Sequence, residues 1–259
     1  MATFLFDKTV FGPVISRRLG VSLGINLLPN DSKFCNYNCI YCECGWTNSQ
    51  DKFKKNLPSR EKVKLELSKK LADMKQNQNN LDVITFAGNG EPTIHPDFAE
   101  IIDDTIEERN QHFPNARIAV LSNATMIKNQ KVYDALHKVD DNILKIDSAF
   151  QETNLLFNNP LRKFDLKNHI SNLKTFKKNL TIQTMFLHGT YENRIVDNTT
   201  EKEIAAWIDI IKDIKPKRVM IYTIHRDTPS SGLEKVPIEK LNQIAEMVRL
   251  LNIEVQVSG

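Results

Sequence analysis

The chain has 259 residues, of which 41% are hydrophobic and 26% are charged, and its formal net charge is +3. This composition excludes an intrinsically disordered protein, and so small a net charge gives no reason to expect a nucleic-acid or membrane surface. The sequence contains no run of about 18 apolar residues and no N-terminal signal pattern, so we expect a cytoplasmic protein with no membrane attachment.

Strand-like and helix-like segments alternate along the chain. A partly alternating apolar stretch precedes the cysteines, and Ser59 is placed to cap the helix that follows them. Each later apolar segment except the last leads into an amphipathic helix, and Thr200 with Glu203 forms a capping box before one of these helices. The predicted strands are residues 21–28, 81–87, 117–121, 142–146, 181–187, 218–224 and 253–257.

This alternation predicts an α/β protein with a parallel sheet and helices outside it. The sheet is either curled into a full or partial barrel or laid open as a doubly wound sheet. In both folds the loops after the strands carry the function. Here those loops contain residues 88–91, 122–123, 147–148, 188–189 and 225–226, and most of these residues are polar or glycine.

All four cysteines lie between positions 35 and 44. A disulfide framework would spread them along the chain, so their clustering indicates a metal or redox site. Cys35, Cys39 and Cys42 have the spacing Cys-x3-Cys-x2-Cys, and closely spaced thiolates are typical ligands of an iron–sulfur cluster. Three ligands leave one iron of a four-iron cluster open for a reactive group. Structural zinc with Cys44 as a fourth ligand is the alternative, although zinc ligands usually come as two separated pairs.

The cysteine spacing, with the aromatic Tyr41 before the last cysteine, resembles the signature of the radical S-adenosylmethionine (radical SAM) superfamily. Residues 11–26 and 88–96 are similar to the wyosine-synthetase-like Fe–S oxidoreductase branch. The resemblance implies a partial (β/α)6 TIM-like barrel of the radical SAM type. It also implies a single domain at residues 1–259, with an N-terminal extension at 1–20, a barrel core at 21–225, and a C-terminal helix and strand at 226–259.

The same resemblance implies an enzyme with two cofactors, a [4Fe–4S] cluster and SAM. Cys35, Cys39 and Cys42 would bind the cluster, and Cys44 would be a bystander. An electron from a donor such as flavodoxin or ferredoxin would split SAM into methionine and a 5′-deoxyadenosyl radical, which abstracts hydrogen from the substrate. In this chemistry the protein orients the reactants and excludes water.

Several strand ends carry the residues that the resemblance assigns to SAM. The sequence Gly88-Asn89-Gly90-Glu91 stands where the family has Gly-Gly-Glu, and its glycines would let the backbone approach SAM closely. A plain strand-to-helix turn is the alternative. Ser122 and Asn123 match positions that contact SAM in relatives, with a helix cap as their alternative role. The further predicted SAM contacts are Tyr41, Asp147 and Gln183.

The catalytic residues stay unidentified, and the candidates are Asp147, His188, His225 and Arg226. Lone histidines more often have structural roles. The implied substrate is a nucleobase, either within tRNA or as a free modified deazapurine base, which is a small molecule. The alternatives are an activase of a partner protein and a non-catalytic zinc or Fe–S binding module.

Overall fold

The computed structural model describes residues 4–47, 57–177 and 179–259. These residues fall into two compact units. The N-terminal unit comprises Leu5–Cys35 and Thr47–Asn142, and the C-terminal unit comprises Phe4, Asn36–Trp46 and Ile143–Gly259. None of the helices in the described residues is both long and apolar enough to span a lipid bilayer. The expected division into an extension, a barrel core and a C-terminal segment stays a prediction.

The N-terminal unit contains a four-stranded array of β1 (Val10–Ser16), β2 (Gly20–Ile25), β3 (Val83–Phe86) and β4 (Arg117–Ser122). β1 is antiparallel to β2, and the other neighbours are parallel. The helices that follow β2, β3 and β4 are α1 (Arg60–Gln76), α2 (Phe98–His112) and α3 (Gln130–Lys138). As predicted, Ser59 caps α1, because its side chain accepts a hydrogen bond from the amide of Lys62.

The C-terminal unit contains two sheets. Its strands are β5 (Asp141–Lys145, which begins at the unit boundary), β6 (Thr181–Met185), β7 (Leu187–Tyr191), β8 (Arg194–Asp197), β9 (Arg218–Tyr222), β10 (Leu233–Lys235) and β11 (Glu254–Ser258). Strands β5, β6, β9 and β11 are parallel in that order, and β10, β7 and β8 form a small antiparallel sheet. The helices are α4 (Gln151–Asn158), α5 (Leu166–Lys174), α6 (Glu201–Ile214) and α7 (Ile238–Arg249).

All seven predicted strands are present, as β2, β3, β4, β5, β6, β9 and β11. The strand expected at 181–187 ends at Met185, because the side chain of Asn198 interrupts it. Asn198 donates to the carbonyl of Met185 at 2.8 Å and accepts from the amide of Leu187 at 3.0 Å, so these two backbone groups bond to a side chain. Leu187 then begins β7 in the small sheet.

Candidate functional site

The glycine loop at residues 88–91 follows β3 and bonds to the backbone that leads into Cys35. The amide of Phe34 donates to the carbonyl of Asn89 at 2.8 Å, and the amide of Glu91 donates to the carbonyl of Phe34 at 3.2 Å. Gly90 has φ +143°, and a Cβ at this position would overlap the Phe34 carbonyl oxygen. Only glycine therefore allows this close approach of the two backbones.

Asn89, which replaces the second glycine of the family motif, is completely buried. Its side-chain oxygen accepts from the amide of Phe6 at 2.8 Å, and its side-chain nitrogen donates to the carbonyls of Phe6 at 2.9 Å and Pro29 at 2.7 Å. The side chain thus holds the N-terminal segment against the loop. The backbone of Asn89 is bonded as well, because its amide donates to the side-chain oxygen of Asn26 at 3.1 Å and its carbonyl accepts from Phe34. The predicted contact of Asn89 with SAM stays a prediction.

The carboxylate of Glu91 is 2% exposed and accepts four hydrogen bonds. Oε1 accepts from the amide of Thr93 at 3.1 Å, the Thr93 hydroxyl at 2.5 Å and the Ser122 hydroxyl at 2.8 Å, and Oε2 accepts from the amide of Asn123 at 2.6 Å. Burial raises the pKa of Glu91 above its ordinary value, although these donors act in the opposite direction. Oε2 has only one of these donors and therefore retains capacity for another hydrogen bond.

Ser122 is the last residue of β4, and Asn123 follows it beside Glu91. Their alternative role as a helix cap is wrong, because α3 begins at Gln130 with Asn129 as its cap. The side-chain oxygen of Asn123 accepts from the amide and the hydroxyl of Thr125, at 3.0 and 2.7 Å. This fixes the orientation of the amide, and its nitrogen donates to the sulfur of Cys35 at 3.8 Å. Glu91, Asn123 and Cys35 therefore form one connected group in the N-terminal unit.

Cys39, Tyr41 and Cys42 lie in the C-terminal unit, on a loop fixed to α4. The amide of Ile40 donates to the carbonyl of Phe157 at 2.9 Å, and the amide of Cys42 donates to the carbonyl of Cys39 at 3.1 Å. The thiol of Cys39 donates to the side-chain oxygen of Asn158 at 3.4 Å.

A buried polar network surrounds Tyr41. Its hydroxyl donates to Oδ2 of Asp147 at 2.5 Å, and Nζ of Lys145 forms an ion pair with the same oxygen at 2.5 Å. Oδ1 of Asp147 accepts from the amide of Met185 at 3.1 Å. Asp147 is 1% exposed and both of its oxygens have protein partners. The predicted roles of Asp147 toward ribose or substrate stay predictions, to be weighed against these contacts.

Lys145 is the residue of this network that the sequence analysis missed. Burial by itself lowers the pKa of Lys145, but the negative charges of Asp147 and of the Cys39 thiolate hold it above its ordinary value. Lysine is rarely buried without a charged partner. The sequence did contain a signal for this ion pair. Lys145 lies inside an apolar strand segment two residues before Asp147, so the two side chains lie on the same face of the strand.

The remaining predicted residues lie on other parts of the C-terminal unit. Gln183 lies on β6 and is 6% exposed. His188 lies on β7, with Nδ1 3.6 Å from a carboxylate oxygen of Glu234 on β10.

His225 is exposed, whereas Arg226 forms an ion pair with Glu43 of the cysteine loop at 2.8 Å and stacks over the ring of Phe4. These contacts suit a structural role for Arg226, and the catalytic assignments stay predictions.

The donor chemistry of the cysteine segment fits an iron–sulfur cluster. All four thiols are partly exposed and none is in a disulfide. Cys35 has an amide donor at its sulfur, and Cys39 interacts with a buried ammonium group, as suits metal-bound thiolates. Within the described residues, no three His, Cys, Asp or Glu side chains are already arranged as metal ligands. The assignment of Cys35, Cys39 and Cys42 as ligands stays a prediction.

The chain is similar to known proteins both in sequence and in structure. A family model described as the radical SAM superfamily matches residues 30–197. A protein of Brachyspira hyodysenteriae named GTPase Obg is 30% identical over 243 residues, which are 92% of this chain and 33% of that protein. A Helicobacter pylori UPF0026 protein (strain 26695) is 33% identical over 231 residues, which are 86% of this chain and 67% of that protein. The chain thus spans about a third of the first relative and two thirds of the second.

Solved structures share the fold. Streptococcus suis SuiB bound to S-adenosylmethionine has a TM-score of 0.63 at 16% identity, over 91% of this chain and 50% of SuiB. A radical SAM methyltransferase from Sphaerobacter thermophilus has a TM-score of 0.66 at 11% identity, over 92% of this chain and 65% of that protein. Archaeal TYW1 has a TM-score of 0.54 at 13% identity, over 88% and 71% of the two chains. The predicted fold class, an α/β partial barrel of this type, is confirmed.

Proposed function

Because the chain belongs to the radical SAM superfamily, we propose that Cys35, Cys39 and Cys42 bind its [4Fe–4S] cluster and that the enzyme acts on a nucleobase. The superfamily uses this cluster and SAM. When bound and reduced by one electron, these cofactors supply methionine and a 5′-deoxyadenosyl radical, which removes a hydrogen atom from the substrate.

The observation that carries the proposal is the backbone pairing of the glycine loop with Phe34, the residue before the first cysteine. The missing Cβ at Gly90 keeps the two segments in contact. A loop held in this way is suited to present backbone groups to the methionine part of SAM beside the first ligand. Glu91 would hold the loop together and use the remaining capacity of Oε2 for the SAM ammonium group.

Other residues of the chain would orient SAM and protect the radical from water. Ser122 and Asn123 would contact its ribose or carboxylate, with Gln183 and Tyr41 near the adenine. Tyr41 is 7% exposed and its hydroxyl is bonded to Asp147, so its ring has a fixed position. Fixed, water-poor surroundings protect a reactive intermediate from side reactions.

The nucleobase is proposed on the resemblance of residues 11–26 and 88–96 to wyosine-synthetase-like proteins. A base within tRNA and a free modified deazapurine base are both consistent with it. Wyosine synthesis is associated with a second iron–sulfur cluster, and the four cysteines of this sequence, all between 35 and 44, leave none to build one. A free base is therefore retained beside tRNA. A low-potential donor such as flavodoxin or ferredoxin would supply the electron, and the cytoplasm is the proposed location.

The first experiment is anaerobic reconstitution with iron and sulfide, reduction, and a mass-spectrometric assay for 5′-deoxyadenosine from SAM. We expect slow formation without substrate. Cys39→Ala should abolish both the cluster absorbance and this product, whereas Cys44→Ala, the matched control, should keep both. A cluster-loaded, reduced protein that forms no 5′-deoxyadenosine contradicts the enzyme proposal. Cluster loss in Cys44→Ala contradicts the ligand assignment.

The second experiment identifies the substrate. Deuterated candidate bases and tRNA with deuterated bases are added separately, and transfer of deuterium into 5′-deoxyadenosine is measured. Transfer from either one supports a nucleobase and distinguishes the two sources. Transfer from neither, together with stimulation by a glycyl-radical partner protein, would favour the activase alternative.

A further inference from the structure

Lys145 and Asp147 form a buried ion pair at the end of β5. Their side chains are 9% and 0% exposed, and Nζ lies 2.5 Å from Oδ2. The cost of desolvating two charges often exceeds their attraction, so such a pair is weak evidence for stability alone. Stability alone is therefore a weak explanation for two charges at this buried position.

The pair is connected to the cysteine loop by short contacts within the C-terminal unit. Nζ of Lys145 lies 4.3 Å from the centroid of the Tyr41 ring, and the Tyr41 hydroxyl bonds to Asp147. That hydroxyl also lies 3.3 Å from the side-chain oxygen of Asn158, and this oxygen lies 3.4 Å from the sulfur of Cys39. One connected set of side chains thus leads from the pair to the cysteine sulfur.

The electrostatic interaction between Lys145 and the sulfur of Cys39 determines the sign of the effect that Lys145 has on a group bound there. Nζ of Lys145 lies 2.5 Å from the Asp147 carboxylate, which holds Lys145 as a cation, and this charge also interacts with the sulfur of Cys39. In a buried, low-dielectric region such charges are little screened. Reduction of a group bound at Cys39 adds negative charge, which a nearby buried cation stabilises and a nearby buried anion destabilises.

From these contacts we propose that Lys145 and Asp147 set the reduction potential of the iron–sulfur cluster bound at Cys39, with Lys145 raising the potential and Asp147 lowering it. The inference rests on the proposed function, because it requires the cluster. The potential of an iron–sulfur cluster depends on the charge, hydrogen bonding and burial around its ligands. The two residues are positioning residues, since they act on the cluster through the cysteine loop.

The test is a set of variants in the reconstituted full chain, with cluster potentials measured by redox titration monitored by electron paramagnetic resonance. Lys145→Met keeps most of the side-chain length and should lower the potential. Asp147→Asn should raise it, and the double variant should lie between the two. Lys145→Arg, which keeps the charge, should stay closer to the wild type than Lys145→Met does.

The matched control is Lys174→Met, which removes the same charge in the same unit. Lys174 pairs with Asp213, but these side chains are 41% and 58% exposed, so solvent screens the pair. We expect no measurable shift of the potential. Iron content and circular dichroism are measured for every variant, to separate loss of the cluster or of the fold from a change in potential.

Opposite shifts in the two single variants support the inference, because a purely structural role gives no reason for opposite signs. Shifts of the same sign, or shifts no larger than that of Lys174→Met at full iron content, overturn it. If Lys145→Met does not fold, the effect of the lysine is measured by comparing the double variant with Asp147→Asn. If the double variant is also unfolded, the inference requires that Asp147→Asn raises the potential and that Lys145→Arg keeps the wild-type value. Failure of the wild type to bind a cluster contradicts the proposed function instead.

Discussion

The side-chain amide of Asn123 donates a hydrogen bond to the sulfur of Cys35, with 3.8 Å between Nδ2 and Sγ. Thr125 holds the amide oxygen from the opposite side, and Glu91 holds the backbone amide of Asn123. A side chain assigned to SAM by resemblance therefore also has a contact with a predicted iron ligand.

Replacing Asn123 with leucine should lower the reduction potential of the reconstituted cluster. Leucine is similar in size but cannot donate to sulfur, and N–H donors stabilise the additional charge of the reduced cluster. Redox titration measures the effect. Thr125→Val is a milder variant for comparison, because it removes only the hydroxyl that helps to hold the Asn123 oxygen. Its shift of the reduction potential should therefore be smaller. A Thr125→Val shift as large as that of Asn123→Leu would contradict a direct role for the amide.

Glu91→Gln should destabilise the fold by about 1–3 kcal/mol. The NH2 group of glutamine would face N–H and O–H groups that donate to the carboxylate in the wild type, so at least one of these donors would lose its acceptor. Denaturant unfolding of the protein without cofactors measures this cost. Glu107 is the control, because its carboxylate is 67% exposed and pairs with Lys64 on the surface. Glu107→Gln should change the unfolding free energy by less than about 0.5 kcal/mol. Equal losses in the two variants would refute the importance of the buried network.

Gly90→Ala should destabilise the fold by about 1–3 kcal/mol and weaken cluster retention. The added methyl group would meet the Phe34 carbonyl, and φ +143° is strained for any side chain. Unfolding free energy and iron content after reconstitution test both parts. Gly259→Ala is the control, since a Cβ there lies 3.2 Å from the nearest atom, a side-chain carbon of Ile238, at the end of the described chain. Wild-type iron retention in Gly90→Ala would show that the loop tolerates the displacement.

His169 should make the fold less stable in mild acid. It is 8% exposed with Nε2 2.9 Å from the Lys145 carbonyl oxygen, and burial lowers its pKa. Because the unfolded chain binds a proton at about pH 6.5 while folded His169 stays neutral, stability is present above that pH and is lost as the pH falls below it.

Substitution by glutamine tests this dependence, because a glutamine side chain can donate to the same carbonyl and does not titrate. The loss of unfolding free energy between pH 7.5 and 5.5 should be smaller in His169→Gln than in the wild type. His137→Gln, at an exposed position, should leave the loss unchanged. An unaltered pH dependence in His169→Gln would show that other groups cause it.

The sequence was sufficient to predict the alternation of strands and helices along the chain, because buried strands and amphipathic helices have distinct periods. It was insufficient where a single side chain decides the structure. Asn198 interrupts the strand expected at 181–187, and no local pattern marks an asparagine that bonds to backbone groups more than ten residues away. Only one hydrogen bond of the capping box at Thr200 is formed, from the amide of Glu203 to the Thr200 hydroxyl. The side chain of Glu203 accepts from Ser148 and Thr153 instead.

The candidate site was predictable in its composition but less so in its connections. The cysteine spacing and the glycine loop identified the family, which the family model confirms. The ligand contact expected of Asp147 stays a prediction, but the sequence did not show that its carboxylate bonds to Lys145, Tyr41 and the Met185 amide. These partners lie on separate segments of the chain, and a sequence pattern does not show which of them meet.

The contacts of Asn89 set a lower limit on the shortest chain that can keep this site. Two of the three groups bonded to its buried side chain belong to Phe6, far from the loop in sequence. A chain trimmed to residue 21, where the sequence places the start of the barrel core, would remove both groups and also the β1 partner of β2. Each buried amide group left without a partner costs about 1–3 kcal/mol. Phe6 and β1 thus support the loop of the candidate site, and a truncation series of this chain should begin before Phe6.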